Sequence, residues 1–266
     1  MSTTAQTTTA DPVTLDVSAT PPVPFGRLVR VELRKALDTR AGRWFVGGIL
    51  VVCLVAEVIF GLAAPSEVQG FDTALGVAGG VLGYFLPVLL ILMVTSEWSQ
   101  RTGLVTFTLE PRRGRVVRAK LVAGLLLGAA MIVIAFGLGA LGNAIGGGDW
   151  TLTAGTVVNG FLVANLIGIG TGFAIGMLLM NSAAAIVAYF VYTLVLPGVV
   201  GVLATFQDWF ADLAPWIDFN TAQTTLFTGD PVPTGEEWAQ LLVTGTIWLV
   251  LPFAIGLWRL LRAEPK

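Results

Sequence analysis

The chain has 266 residues, 55% of them hydrophobic and only 12% charged, with a formal net charge of -2. Soluble domains carry about 25% charged residues, so this composition excludes an ordinary soluble domain and points to burial in lipid. Histidine is absent and Cys53 is the single cysteine, which excludes His-based metal sites, Ser–His catalysis, His proton relays and a disulfide framework within one chain.

Residues 1–24 are rich in Thr, Ala and Pro and close with Pro21-Pro22-Val23-Pro24. This composition predicts a disordered tail, without the basic start and apolar stretch of a secretory signal. The segment 25–43 follows as an amphipathic helix through Arg40, lying in the headgroup region. Phe25, Val29, Leu33, Ala36 and Leu37 share one face at helical spacing, with Arg27, Arg30 and Arg34 opposite. The plainer alternative is a solvated basic leader that only enforces orientation.

Six apolar stretches come next, at about 44–64, 75–95, 119–143, 157–180, 183–205 and 239–260. Each approaches the roughly 20 residues that a helix needs to cross the hydrocarbon. Only Asn181-Ser182 separates the fourth from the fifth, so a tight helical hairpin is required there. The expected fold is an all-α membrane protein: a six-span domain over 44–262, preceded by the interfacial helix and followed by a short tail at 263–266.

Orientation follows from charge. Arg27, Arg30, Arg34, Lys35, Arg40 and Arg43 precede the first span. Arg101, Arg112, Arg113, Arg115, Arg118 and Lys120 fall between the second and third, and Arg259, Arg262 and Lys266 end the chain. With six spans all three groups lie on one side, which the positive-inside rule makes cytoplasmic. The opposite connections contain no Lys or Arg and carry Glu67, Asp72, Asp149, Asp208, Asp212, Asp218, Asp230, Glu236 and Glu237. Five spans would put the basic C-terminus outside, so the pattern predicts six, with both termini cytoplasmic and the chain in the plasma membrane. The last external connection, 206–238, holds Trp209, Phe210, Trp216, Phe219 and Trp238 among its acids. That many aromatics predicts short half-inserted helices anchored at the headgroups, the alternative being a small cap packed on the bundle.

No G-x-x-x-x-G-K-[ST] phosphate loop occurs, and no Asp lies within any predicted span. Intramembrane proteolysis and direct ATP binding are therefore poor readings, and no enzyme is expected. The internal stretch from Thr95 to Lys120 reads TSEWSQRTGLVTFTLEPRRGRVVRAK. Glu97 and Arg101 stand at i,i+4 and can pair on a helix. Thr102-Gly103 breaks that helix, Pro111 sets a stop, and Arg112, Arg113, Arg115, Arg118 and Lys120 lead into the third span.

These residues resemble the permease subunit of ABC-2 type transporters. The order is similar: Glu97, then Arg101-Thr102, then Pro111 with Arg115, then Ala119-Lys120 opening a span. The leader Glu32-Leu33-Arg34-Lys35, followed by Thr39-Arg40 and Trp44, also looks like that family's entry to its first span. The resemblance covers residues 25–262 and implies a pair of six-span permeases, as a homodimer or with a homologous permease. It implies two copies of a cytoplasmic ATP-binding subunit, which supply ATP and Mg; no cofactor belongs to this chain. The loop Glu97, Arg101, Thr102, Pro111, Arg112, Arg113, Arg115, Arg118 and Lys120 would then couple to that subunit, together with Glu32, Arg34 and Lys35 of the leader. The 206–238 region would form re-entrant helices between spans five and six. Export of an amphiphile (drug, peptide, lipid or glycan) is the implied function; nucleic acid is not an expected partner and membrane lipid is. The alternatives are a secondary transporter and a non-transporting scaffold or sensor-associated protein.

Within the spans, Glu57 is the single predicted acid, and an intramembrane ionisable residue is a functional candidate by default. Gly168, Gly172 and Gly176 recur every four residues, a spacing that lets helices approach closely. Tyr189, Thr193 and Pro197 share a face of the fifth span, and Tyr84 lies in the second. With Glu57, the residues Tyr84, Tyr189 and Thr193 are pathway candidates; packing or interfacial anchoring is the plainer reading of each.

Overall fold

The computed structural model describes residues 23–100, 102–227 and 233–262. The tail before Val23, Arg101, Asp230 and Lys266 lie outside the described residues. Among the described residues every regular element is a helix. In chain order these are α1 (Phe25–Asp38), α2 (Arg40–Ala63), α3 (Phe71–Ser99), α4 (Gly103–Leu109), α5 (Arg113–Gly146), α6 (Thr156–Leu179), α7 (Ser182–Phe206), α8 (Asp208–Ile217), α9 (Phe219–Gln223) and α10 (Gly235–Arg262). Six of them, α2, α3, α5, α6, α7 and α10, are long and apolar enough to cross a membrane.

The boundaries follow local chemistry. Thr39 leaves helical geometry, and its hydroxyl accepts the Gly42 N–H at 3.0 Å, so the basic leader is a separate helix that turns into α2 at a capped corner. Asn181 caps α7 through the Ala184 N–H at 3.0 Å. Met180, the one described non-glycine residue with positive φ (51°), closes α6 and makes the tight hairpin. α10 opens on a capping box between Thr234 and Glu237. α5 starts at Arg113, six residues before the apolar run at 119. Its 34 residues reach about 50 Å at roughly 1.5 Å each, well beyond the roughly 30 Å hydrocarbon thickness, so its basic first turns project past the apolar zone.

α3 is the central helix, packed on α2, α5 and α6, with Ala74, Leu75, Ala78, Leu82, Leu86 and Leu90 buried along it. The glycine stripe of α6 lies against it: the Gly172 backbone meets the Pro87 backbone, and Gly168 and Gly176 face Pro87 and Val94. α10 packs on α6, where Gly256 meets the Met177 backbone. α7 touches the bundle through Ala185, Tyr189 and Tyr192 and turns Val187, Val191, Val199 and Val202 outward, as a lipid-facing helix does.

At the acid-rich end the connections are tied together. The Phe71 N–H donates to the Asp149 carbonyl at 3.1 Å, and Asn143 Nδ2 donates to the same carbonyl at 2.8 Å. Thr151, through its hydroxyl (2.6 Å) and its N–H, holds the Asp149 carboxyl below the usual aspartate range. Wide π-helical turns interrupt three spans, at Thr156–Val163, Val191–Val195 and Thr246–Val250.

Candidate functional site

At the basic end, three helices meet around four charged side chains. Lys120 of α5 pairs with Glu32 of α1 at 2.6 Å and with Glu97 of α3 at 3.4 Å; Lys35 of α1 pairs with Glu32 at 2.8 Å and with Glu97 at 3.0 Å. Two carboxylates and two ammoniums therefore close a ring. Glu32, Glu97 and Lys120 are buried at 4%, 1% and 2% exposure, so water screens the ring little. Burial opposes the Lys35 charge, but Glu32 and Glu97 outweigh it and hold that ammonium above the ordinary lysine value. The partners of Glu97 are thus Lys35 and Lys120, far away in sequence; Arg101, its expected i,i+4 partner, lies outside the described residues.

The rest of the basic run divides. Arg115 pairs with Glu110 at 2.6 Å and donates to the Val23 carbonyl at 2.5 Å, drawing the start of the leader onto the loop. Arg113 donates to the Leu260 carbonyl at 2.6 Å and stacks over Phe107 of α4. By contrast Arg112 and Arg118 are exposed, together with Arg27, Arg30 and Arg34 of the leader and Arg40 and Arg43 at the start of α2. Thr102 precedes α4 and Pro111 follows it. Between α1, α4 and the adjoining ends of α3 and α5 lies a groove of about 510 Å³. Leu28, Val31, Val105, Leu109 and Val116 wall it, and the Glu32–Lys35–Glu97 charges lie at its side.

A second cavity, of about 380 Å³, opens among α3, α6, α7 and α9. It brings together Tyr84, Tyr189 and Thr193, three residues singled out from the sequence. Its α3 wall is glycine: a Cβ built on Gly76, Gly80 or Gly83 would meet open space. Tyr189 donates to the Gly83 carbonyl at 2.8 Å. Asn220 donates to the Tyr192 carbonyl at 3.1 Å, which fastens α9 to the π turn of α7. Sequence reasoning missed Asn165, Tyr192, Asn220 and Gln223, which complete the polar wall. The amide of Asn165 inside an apolar span was the available signal.

Glu57 lies elsewhere. It is fully buried where α2 meets α5, against Gly142, with no side-chain partner for its carboxyl among the described residues and only the Ala78 backbone of α3 close to it. It lines neither the groove nor the cavity. No group of acidic, Cys or His residues suited to a metal ion occurs among the described residues.

No protein-family model matches this sequence, and no curated protein is significantly similar to it.

Proposed function

We propose that the chain is the membrane-spanning permease subunit of an ABC-2 type exporter, driven from its basic, cytoplasmic side by a separate ATP-binding subunit. The observation that carries this reading is the buried ring Glu32–Lys35–Glu97–Lys120 beside an apolar groove. A leader helix that served only to orient the chain needs no buried ion pairs. Here removing one partner strands another charge in low dielectric, so α1 cannot separate cheaply from α3 and α5. Force applied to α1 or α4 is passed to the central helix of the bundle. Arg27 lines the groove, and the exposed Arg30, Arg34, Arg112 and Arg118 add cations on the same helices, α1 and the segment leading into α5, for an acidic docking surface. In this reading α1 lies at the headgroups, α8 and α9 form the re-entrant element on the outer side, and two permeases and two ATPase subunits make the working unit in the plasma membrane.

The test is purification of the tagged full chain from its native membranes. A co-purifying Walker-type subunit with ATP hydrolysis is expected, and Arg112→Glu with Arg118→Glu, which breaks no buried contact, lowers its recovery at least about tenfold, as loss of roughly 1.4 kcal/mol or more requires. Recovery of the chain alone, or full recovery with the reversed variant, refutes the reading. Glu57 favours a second one, a proton-coupled carrier, because a buried intramembrane carboxyl with no charged partner marks proton relays. Reconstituted chain that takes up substrate under a pH gradient without any ATPase, and loses this with Glu57→Gln, would establish that alternative.

A further inference from the structure

We propose that the cavity among α3, α6, α7 and α9 binds the uncharged, hydroxyl- or amide-bearing headgroup of an amphiphile. The proposal rests on the permease reading and names the substrate class that such a permease carries.

The lining mixes glycine and apolar surface with amide and hydroxyl groups and contains no Asp, Glu, Lys or Arg among the described residues. Asn165, Tyr192, Asn220 and Gln223 face Tyr84 and Thr193 across it. Behind the lining the buried Asp218 carboxylate accepts from Asn220 Nδ2 at 3.3 Å, so an anion entering this space would lose its hydration and find no cation, whereas a neutral polar group exchanges water for amide and hydroxyl partners. Asn165 is exposed by only 2%, yet its Oδ1 has no hydrogen-bond partner among the described residues. The buried Tyr192 hydroxyl is engaged by the Gln223 amide, itself part of the lining. Buried polar atoms are nearly always satisfied, so the Asn165 oxygen at a cavity wall calls for a ligand or water.

The backbone is shaped for the same space. Gly160 lies in the π turn of α6, and Tyr192 and Thr193 lie in that of α7. Such turns recur at functional sites because they displace side chains from regular helical positions. The glycine wall of α3 leaves its side of the cavity as bare backbone that accommodates a bulky ring. About 380 Å³ lies at the low end of ligand pockets, enough for a headgroup and not for acyl chains. Tyr84, 45% exposed, stands at a mouth from which a tail extends into lipid. On the other side, Gly76, Gly160 and Phe227 are shared with a groove of about 460 Å³ that reaches Asp72 at the acid-rich end. The headgroup site thus adjoins a groove on that side of the bundle, with Phe227 between the two.

The test uses the full chain in phosphatidylcholine nanodiscs, without ATP or any ATPase, so its outcome is separate from that of the co-purification above. Retained ligand is measured by native mass spectrometry with three probes: glucosyl diacylglycerol, phosphatidylglycerol and free glucose. Retention of the neutral glycolipid at least about tenfold above phosphatidylglycerol is expected. Asn165→Leu and Tyr192→Phe should each weaken it about three- to tenfold, the equivalent of one lost hydrogen bond. Gly80→Leu, which fills the cavity, should abolish it; helix content by circular dichroism checks folding of each variant. Retention of free glucose to the same extent supports the headgroup site and shows that the tail is dispensable. Equal retention of phosphatidylglycerol, or unchanged retention by folded Tyr192→Phe and Gly80→Leu, overturns the proposal.

Discussion

At the scale of single residues, Lys120 has the most concentrated role. It sits between two buried carboxylates, Glu32 at 2.6 Å and Glu97 at 3.4 Å, and Lys35 alone does not neutralise both. Lys120→Met keeps most of the apolar stem and removes the charge. It is expected to destabilise the protein by about 3–5 kcal/mol, the usual result of stranding a buried ion. Unfolding by SDS titration, followed by circular dichroism, measures the loss. Adding Glu32→Gln should recover part of it, because the double variant buries one carboxylate beside one ammonium; a purely additive cycle would mean that the pair is not coupled. Lys35 adds a pH dependence. Its folded-state pKa lies above the ordinary lysine value, so its stabilising effect is complete below that value and fades as pH rises through the folded one. Alkaline loss of stability should therefore shrink in Lys35→Met.

Between elements, the close approach of α3 and α6 sets the frame in which the cavity forms. A Cβ on Gly172 would collide with the Pro87 backbone, which has no flexible end to move aside, whereas Gly48 on α2 has nothing within 4 Å. Gly172→Ala is expected to cost about 1–3 kcal/mol as overpacking. Gly48→Ala should be neutral or slightly stabilising through helix propensity. Thermal unfolding in detergent compares the two, and equal melting temperatures would place the α3–α6 contact elsewhere. Much of this frame was legible in the sequence. The spans are runs of apolar residues without charge, and the Asn181-Ser182 break is the hairpin where Met180 turns the chain. The sites were legible only in part. Tyr84, Tyr189 and Thr193 stand out as polar groups on helix faces, but their convergence with Asn220 and Gln223 depends on α9 folding back onto α7. The ring of charges joins residues as much as 88 positions apart, while local spacing offers Glu97 only an i,i+4 neighbour. The π turns that shape the cavity have no composition of their own to read.

Across the whole molecule, charge divides by end. The described cations of α1, of the start of α2, of the α4–α5 segment and of the end of α10 gather at one end of the bundle. Glu67, Asp72, Asp149, Asp208 and Asp212 belong to the connections at the other. Moving that many cations through hydrocarbon during insertion is far less favourable than moving the acidic connections, and short basic loops therefore stay in the cytoplasm. The consequence is an orientation that labelling tests directly. Cys53 is the only cysteine and is buried, so Cys53→Ala gives a silent background with little change in packing volume. In that background, Glu67→Cys in the first acidic connection should react with a membrane-impermeant maleimide in intact cells. Arg34→Cys, on the exposed face of α1, should react only after permeabilisation. The reverse pattern would turn the molecule over, place the groove and its ring of charges outside, and remove any cytoplasmic ATPase from reach of α1 and α4. The expected pattern instead puts the apolar groove on the side where ATP is available and the Asp72 groove on the opposite side, the arrangement that the proposed export requires.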